Sequence, residues 1–196
     1  MPALPSWLAE PLWVQFQALL PRRPAYDPAH PLSRHRRRIS DRVVFDKLLQ
    51  VLRFGCPYEG IADTTCSATT LRTRRDEWIK LGIFARLKQI ALDAYDRIVG
   101  LLLEKVAVDG CIGIKAPVQA SGRWHIERTN AWHNAFARLA RCHERHERHE
   151  RHERHERHEI VVNAFFDLAD TIIKLRNLIR RAWTTHRWDS RPPQRP

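Results

Sequence analysis

Apolar residues recur at helical spacing in most of the chain. From about Pro11 to Leu20, Leu12, Phe16 and Leu19 share one face; a proline is tolerated in a first turn, and Pro21 ends the segment. A second helix is predicted from Asp41 to about Phe54, with Val44, Leu48, Val51 and Leu52 inward, Ser40 as N-cap and Gly55 as C-cap. A third opens at Ser67 and runs to about Leu81, where Leu71, Arg75, Trp78 and Ile79 bracket a mixed or inward face. Gly82 breaks it, and a fourth is expected from about Phe84 to Leu103 with Leu87, Ile90, Ala94, Ile98 and Leu101 inward. Near the end, Val161, Phe165, Leu168, Ile172, Leu175 and Ile179 alternate in steps of four and three, with Trp183 next. That strongly amphipathic pattern fits core packing, with self-association through the seam as the alternative.

The period changes once. Lys105-Val106-Ala107-Val108-Asp109-Gly110 reads as a short buried strand ending in an acid and a glycine. An acid in that place can be a metal-binding carboxylate, although the pattern is common without one.

Three stretches show no core-forming period. Residues 22–38 hold Pro24, Pro28 and Pro31 and end in Arg34-His35-Arg36-Arg37-Arg38, an extended basic arm. From His143 to Glu159 the chain repeats His-Glu-Arg five times and adds His-Glu. A three-residue period drifts around a helix, so no face stays apolar, while Glu-to-Arg pairs four apart favour a solvated, continuous helix. The six histidines of that repeat could chelate zinc or nickel; the alternative is a slipped repeat tolerated because it forms a charged helix. Residues 187–196 are basic and proline-rich and are expected to be disordered.

Charge then narrows the partners. Thirty-four basic against 22 acidic residues leave a formal charge of +12, so a polyanion, nucleic acid first, is the default partner. The four cysteines are widely spaced, with neither a metal-ligand spacing nor a dense disulfide framework, which predicts a reducing, cytoplasmic setting. No secretory signal is read at the N-terminus. The longest apolar run, Ile98 to Leu103 broken by Gly100, is too short for a bilayer, so no membrane partner is expected.

Three helices with a tight connection before a polar, basic third one outline a helix-turn-helix. In such a unit Thr69, Thr70, Arg72, Arg74 and Arg75 near the start of the third helix are candidates to reach base edges. Arg36, Arg37 and Arg38 of the arm are candidates for phosphates or a minor groove. The competing reading is a solvated helix packed by Leu71 and Trp78.

Taken together, the segments resemble DDE transposases of bacterial insertion sequences, in particular the insertion-sequence-five family. One block runs from about Leu4 to Pro117 and includes Leu52-Arg53-Phe54-Gly55-Cys56-Pro57, Ser67-Ala68-Thr69-Thr70-Leu71-Arg72 and Val106-Ala107-Val108-Asp109-Gly110. The other, from Gly122 to about Arg187, centres on Arg123-Trp124-His125-Ile126-Glu127-Arg128-Thr129-Asn130-Ala131-Trp132. The resemblance implies N-terminal helices that bind the terminal inverted repeats of a transposon as double-stranded DNA, and an RNase-H-like domain that cuts and joins it. Three carboxylates there hold two divalent ions, Mg2+ or Mn2+. It places Asp109 as the first carboxylate and metal ligand and Glu127 as the third, with Arg128 and Arg138 facing the transposon end.

The middle carboxylate is absent. Seventeen residues separate Asp109 from Glu127, and none is Asp or Glu. Such a span cannot build a sheet whose strands average about five or six residues each. The expected architecture is therefore mainly α. A helix-turn-helix-like helical DNA-binding domain spans 1–103, remnants of an RNase-H-like α/β domain span 104–186 with the repeat 143–159 inside, and the tail follows. The remnants comprise one short strand or hairpin, the long charged helix and the C-terminal amphipathic helix. The expected function is that of an insertion-sequence transposase whose catalysis is defective. The alternatives are a non-enzymatic DNA-binding or transposase-interacting regulator, acting as a homo-oligomer or with intact transposase, a His-rich metal-binding module, and a poorly folding remnant reading frame.

Overall fold

The computed structural model describes residues 2–22, 38–99, 131–143 and 152–186. Among them all regular structure is helical: α1 (Ser6–Leu19), α2 (Asp41–Phe54), α3 (Tyr58–Ile61), α4 (Ala68–Lys80), α5 (Ile83–Val99), α6 (Ala137–His143) and α7 (His152–His186). A further helical turn covers 131–134. The strand or hairpin expected near Asp109 lies outside the described residues, as do the arm up to Arg37, residues 144–151 of the His-Glu-Arg repeat and the tail.

Local chemistry explains the ends of α2 and α4. The Ser40 side chain accepts from the Arg42 amide at 3.3 Å, and Ser67 Oγ from the Thr70 amide at 3.2 Å, each satisfying a donor the helix leaves open. Gly55 closes α2 at φ 64°, and Gly82 divides α4 from α5 at the same angle.

Helix α1 departs from expectation. It begins at Ser6, so Pro11 sits inside it, and the Pro5 carbonyl accepts from Leu8 and Ala9 at 3.0 and 2.9 Å. Proline removes one helical hydrogen bond. The helix persists because Leu8, Leu12 and Phe16, spaced by four, are all buried.

Phe16 stands at the centre of an aromatic cluster, its ring centroid 4.4 Å from Phe45, 4.9 Å from Trp78 and 5.9 Å from Phe84. Arg42 fastens α1 to α2 from outside, bonding Glu10 and Asp46 with its guanidinium 5.3 Å from the Trp13 ring centroid.

Residues on both sides of position 103 share one core. Phe165, Leu168, Ala169 and Ile172 of α7 join the same buried cluster as Leu12, Phe16 and Leu87. Contacts advance together along α5 and α7, with Phe84 near Ala164 and Lys88 bonded to Asp167 at 2.8 Å, so these two helices run parallel. Trp7 at the start of α1 meets Trp183 near the end of α7, 5.4 Å between centroids, so α1 runs the other way. The α7 seam is therefore buried against its own chain.

The inward face of α5 also differs from the expected one. Ile83, Phe84, Leu87 and Ala91 are buried, whereas Ile90 and Ile98 are exposed, and Leu101 lies outside the described residues. The helix turns its Phe84 edge toward the Phe16 cluster, which rotates the Ile90–Ile98 line outward.

A charged knot joins α5, α7 and the turn at 131–134. Lys88 reaches Asp167 and, at 3.5 Å, Asp170, whose other oxygen lies 2.7 Å from His133 Nε2. Burial alone would raise the Asp170 carboxyl, but the His133 hydrogen bond and the charges of Lys174 and Lys88 outweigh it and hold it below the ordinary range.

Gly55 sits hard against the backbone of α6. A Cβ there would lie 3.0 Å from the Ala137 carbonyl carbon and 3.1 Å from its oxygen, and φ is positive besides. Gly55→Ala is expected to cost about 1–3 kcal/mol in urea unfolding, since strained backbone and a backbone clash add. A loss below about 0.5 kcal/mol would show that α6 can move away freely.

Candidate nucleic-acid interface

The candidate surface is α4 with the elements that support it, α3 and the turn 62–67. Asp63 organises that turn. One carboxylate oxygen accepts from the Thr65 amide at 2.9 Å, the Thr65 hydroxyl at 2.6 Å and the Cys66 amide at 3.1 Å; the other accepts from Lys47 Nζ at 2.6 Å. Lys47, buried in α2, also donates to the Ile61 carbonyl at 2.9 Å. A single lysine thus pins the start of the turn that aims α4, and Asp63 closes the turn onto Thr65 and Cys66.

The Lys47 bond, then those from Thr65, hold the Asp63 carboxyl well below the usual carboxylate range. A folded-state value below the unfolded one means that the stabilisation is complete above about pH 4 and is lost as pH falls below it. Melting temperature should drop on acidification through that window, and Asp63→Asn should make the drop shallower. Identical acid limbs for the two proteins would show that Asp63 contributes nothing there. Beside it, burial pushes the free Cys66 thiol up.

The expected contact residues separate into three groups. Thr69 is exposed, and its carbonyl accepts from the Thr73 hydroxyl at 2.9 Å; Thr70 is half-buried and engaged with Ser67. Arg72 remains 41% exposed and pairs with Glu59, itself 63% exposed. That bond holds the Glu59 carboxyl low.

Arg74 belongs to a different group. It is 4% exposed, bonded to Asp41 and, at 3.0 Å, to the Ile39 carbonyl, so its guanidinium is committed to joining α4 with the start of α2. Arg75 is nearly as enclosed, donating to the Tyr58 hydroxyl at 2.6 Å and to Asp76 at 2.8 Å. Arg38 bonds Glu77 at 2.9 Å and lies 3.8 Å from Asp41, which draws the end of the basic arm onto α4.

The third group lies outside the described residues: Arg36, Arg37, Arg128, Asp109 and Glu127. Arg138, from the second block, is described, and its guanidinium is 5.7 Å from the Tyr58 ring centroid. The structure thereby brings Arg138 to the base of α4, beside Arg72 and Arg75, each 5.1 Å from the same centroid.

Residue reading missed Tyr58, Lys47 and Asp63. The sequence Asp63-Thr64-Thr65 carries the signature of a carboxylate capping its own turn and could have flagged Asp63. Nothing local could have flagged Tyr58.

Among the described residues no cluster of three or more His, Cys, Asp or Glu side chains could hold a metal ion; Asp109 and Glu127 lie outside them. Among the same residues no helix is long and apolar enough to cross a membrane.

No curated protein and no solved structure matches the chain. The family model described as "Putative transposase of IS4/5 family (DUF4096)" matches residues 8–88, from the start of the aromatic core through α4 to the Lys88 of the charged knot. By that match, residues 8–88, which carry this helical core and its polar fourth helix, are similar to the IS4/5 family of putative transposases.

Proposed function

We propose that the chain binds duplex DNA at transposon ends through the exposed side of α4 and performs no strand transfer. The observation that carries the second half is the donor set: seventeen residues between Asp109 and Glu127 without one acid, where a two-metal centre needs a third carboxylate. The first half is supported by the +12 formal charge and by the side of α4 left outside the core, where Thr69, Thr73 and the partly exposed Arg72 stand while Leu71 and Trp78 hold the helix down. Thr69 at a helix start suits base edges, and the arm residues Arg36 and Arg37 suit phosphates.

The expected result is retention of a duplex bearing the terminal inverted repeat in a gel shift, weakened steeply by salt. No cleavage should follow on adding Mg2+ or Mn2+. Cleavage of that duplex, abolished by Asp109→Ala, would overturn the loss of chemistry. Retention unaffected by Thr69→Ala with Arg72→Ala would overturn the choice of helix.

A further inference from the structure

Three arginines from two parts of the chain converge on one tyrosine. Tyr58 is 5% exposed, and the guanidinium carbons of Arg72, Arg75 and Arg138 lie 5.1, 5.1 and 5.7 Å from its ring centroid. Arg72 and Arg75 come from α4, Arg138 from α6. Cation–π attraction and the Arg75 bond to the Tyr58 hydroxyl gather the three guanidiniums around one ring despite their like charge.

The local carboxylates do not balance them. Glu59 pairs with Arg72 and Asp76 with Arg75, while Arg138 pairs with no carboxylate among the described residues. Among the described residues one positive charge is therefore left over beside the Tyr58 ring. The Glu59–Arg72 pair is itself exposed at both ends, and such surface pairs contribute little, so Arg72 can exchange Glu59 for a stronger anion at small cost.

We propose that this cluster is a phosphate site that takes one phosphodiester of the DNA backbone. Arg138 and Arg72 donate to its oxygens, and Tyr58 with Arg75 holds them in place. Guanidiniums present paired N–H donors in a planar fork that matches a phosphate's two free oxygens. Two of the three arginines stand on the helix proposed above to read DNA, so the site rests on that reading. It adds that the second block of the chain, through Arg138, grips the same duplex.

The test compares Arg138→Gln, Arg72→Gln and Arg138→Lys with Arg97→Gln, an exposed arginine in the last turn of α5. Duplex affinity is measured against salt concentration, with far-UV circular dichroism confirming that each variant is folded. Arg138→Gln should weaken duplex binding about five- to tenfold at 0.1 M salt, alike for all sequences, and reduce the log–log salt slope by about 1. Arg138→Lys should keep the slope, because it keeps the charge. In a second arm, millimolar inorganic phosphate at constant ionic strength should raise the melting temperature of the parent protein more than that of Arg138→Gln.

If the parent binds duplex but both Gln variants behave as Arg97→Gln does, the cluster is only internal packing and the proposal falls, while the DNA-binding reading stands. If the parent does not bind duplex, that reading falls and the phosphate arm decides: protection lost in Arg138→Gln supports an anion site, and equal melting shifts overturn it.

Discussion

Phe16→Ala should lower the free energy of unfolding by about 3–5 kcal/mol, as deletions of buried aromatic rings do. Phe16 is 0% exposed and touches rings from α1, α2, α4 and α5, so its removal leaves a cavity shared by four helices. No single helix can shift to fill it without losing its other contacts. Domains of ordinary stability have about 5–15 kcal/mol to lose, so the variant should melt far lower or with visibly reduced cooperativity. Urea unfolding followed by tryptophan fluorescence measures this directly, since Trp13 and Trp78 flank the ring. Val14→Ala, two residues away on the opposite side of the helix and 58% exposed, should stay within about 0.5 kcal/mol of the parent. Equal costs at the two positions would mean that the aromatic cluster is not the core.

Asp41→Ala should cost a similar amount, about 3–5 kcal/mol, for an electrostatic reason. It would strip the carboxylate from Arg74, leaving a guanidinium at 4% exposure with one carbonyl partner. Arg74→Leu should cost less. The remaining Asp41 side chain is 28% exposed and keeps Arg38 at 3.8 Å, so its charge stays partly hydrated and paired. The asymmetry is the informative outcome: urea unfolding of both variants should rank Asp41→Ala as the more damaging. The reverse order, or a cost under about 1 kcal/mol for Asp41→Ala, would show that Arg74 reaches solvent in the native protein. The same pair bears on DNA binding, because weaker binding by an Arg74 variant would report a displaced α4 rather than a lost contact.

These pairings show why the candidate interface was only partly legible from residues. Arg72, Arg74 and Arg75 look alike in sequence, three bases on one polar helix. In the fold they have three fates: Arg72 stays partly open, Arg74 is enclosed with Asp41 thirty-three positions back, and Arg75 is tied to Tyr58 seventeen positions back. An excess of 34 bases over 22 acids predicts free cations on average and says nothing about which of them meets an acid in space. The Glu77 bond to Arg38 likewise ties down a residue of the arm that looked free.

What the amino-acid order determined by itself is whatever depends on neighbours within a turn or two. Ser40 and Ser67 cap helices because a hydroxyl before a helix meets an open amide. Gly55 and Gly82 end or divide helices because glycine, lacking a Cβ, takes a positive φ without steric cost. The four-and-three spacing from Val161 to Ile179 demands a buried stripe, and the absence of any acid between Asp109 and Glu127 is plain on the page. The tertiary structure decided which partner each stripe finds. It set α7 parallel to α5 in one core with α1, turned Ile90 and Ile98 outward, carried α1 back through Pro11 to Ser6, and gathered Arg138 with Arg72 at Tyr58. Each of those outcomes depends on how ridges of side chains from distant segments interlock and on which charges are then within bonding reach. Those distances exist only once the chain has folded.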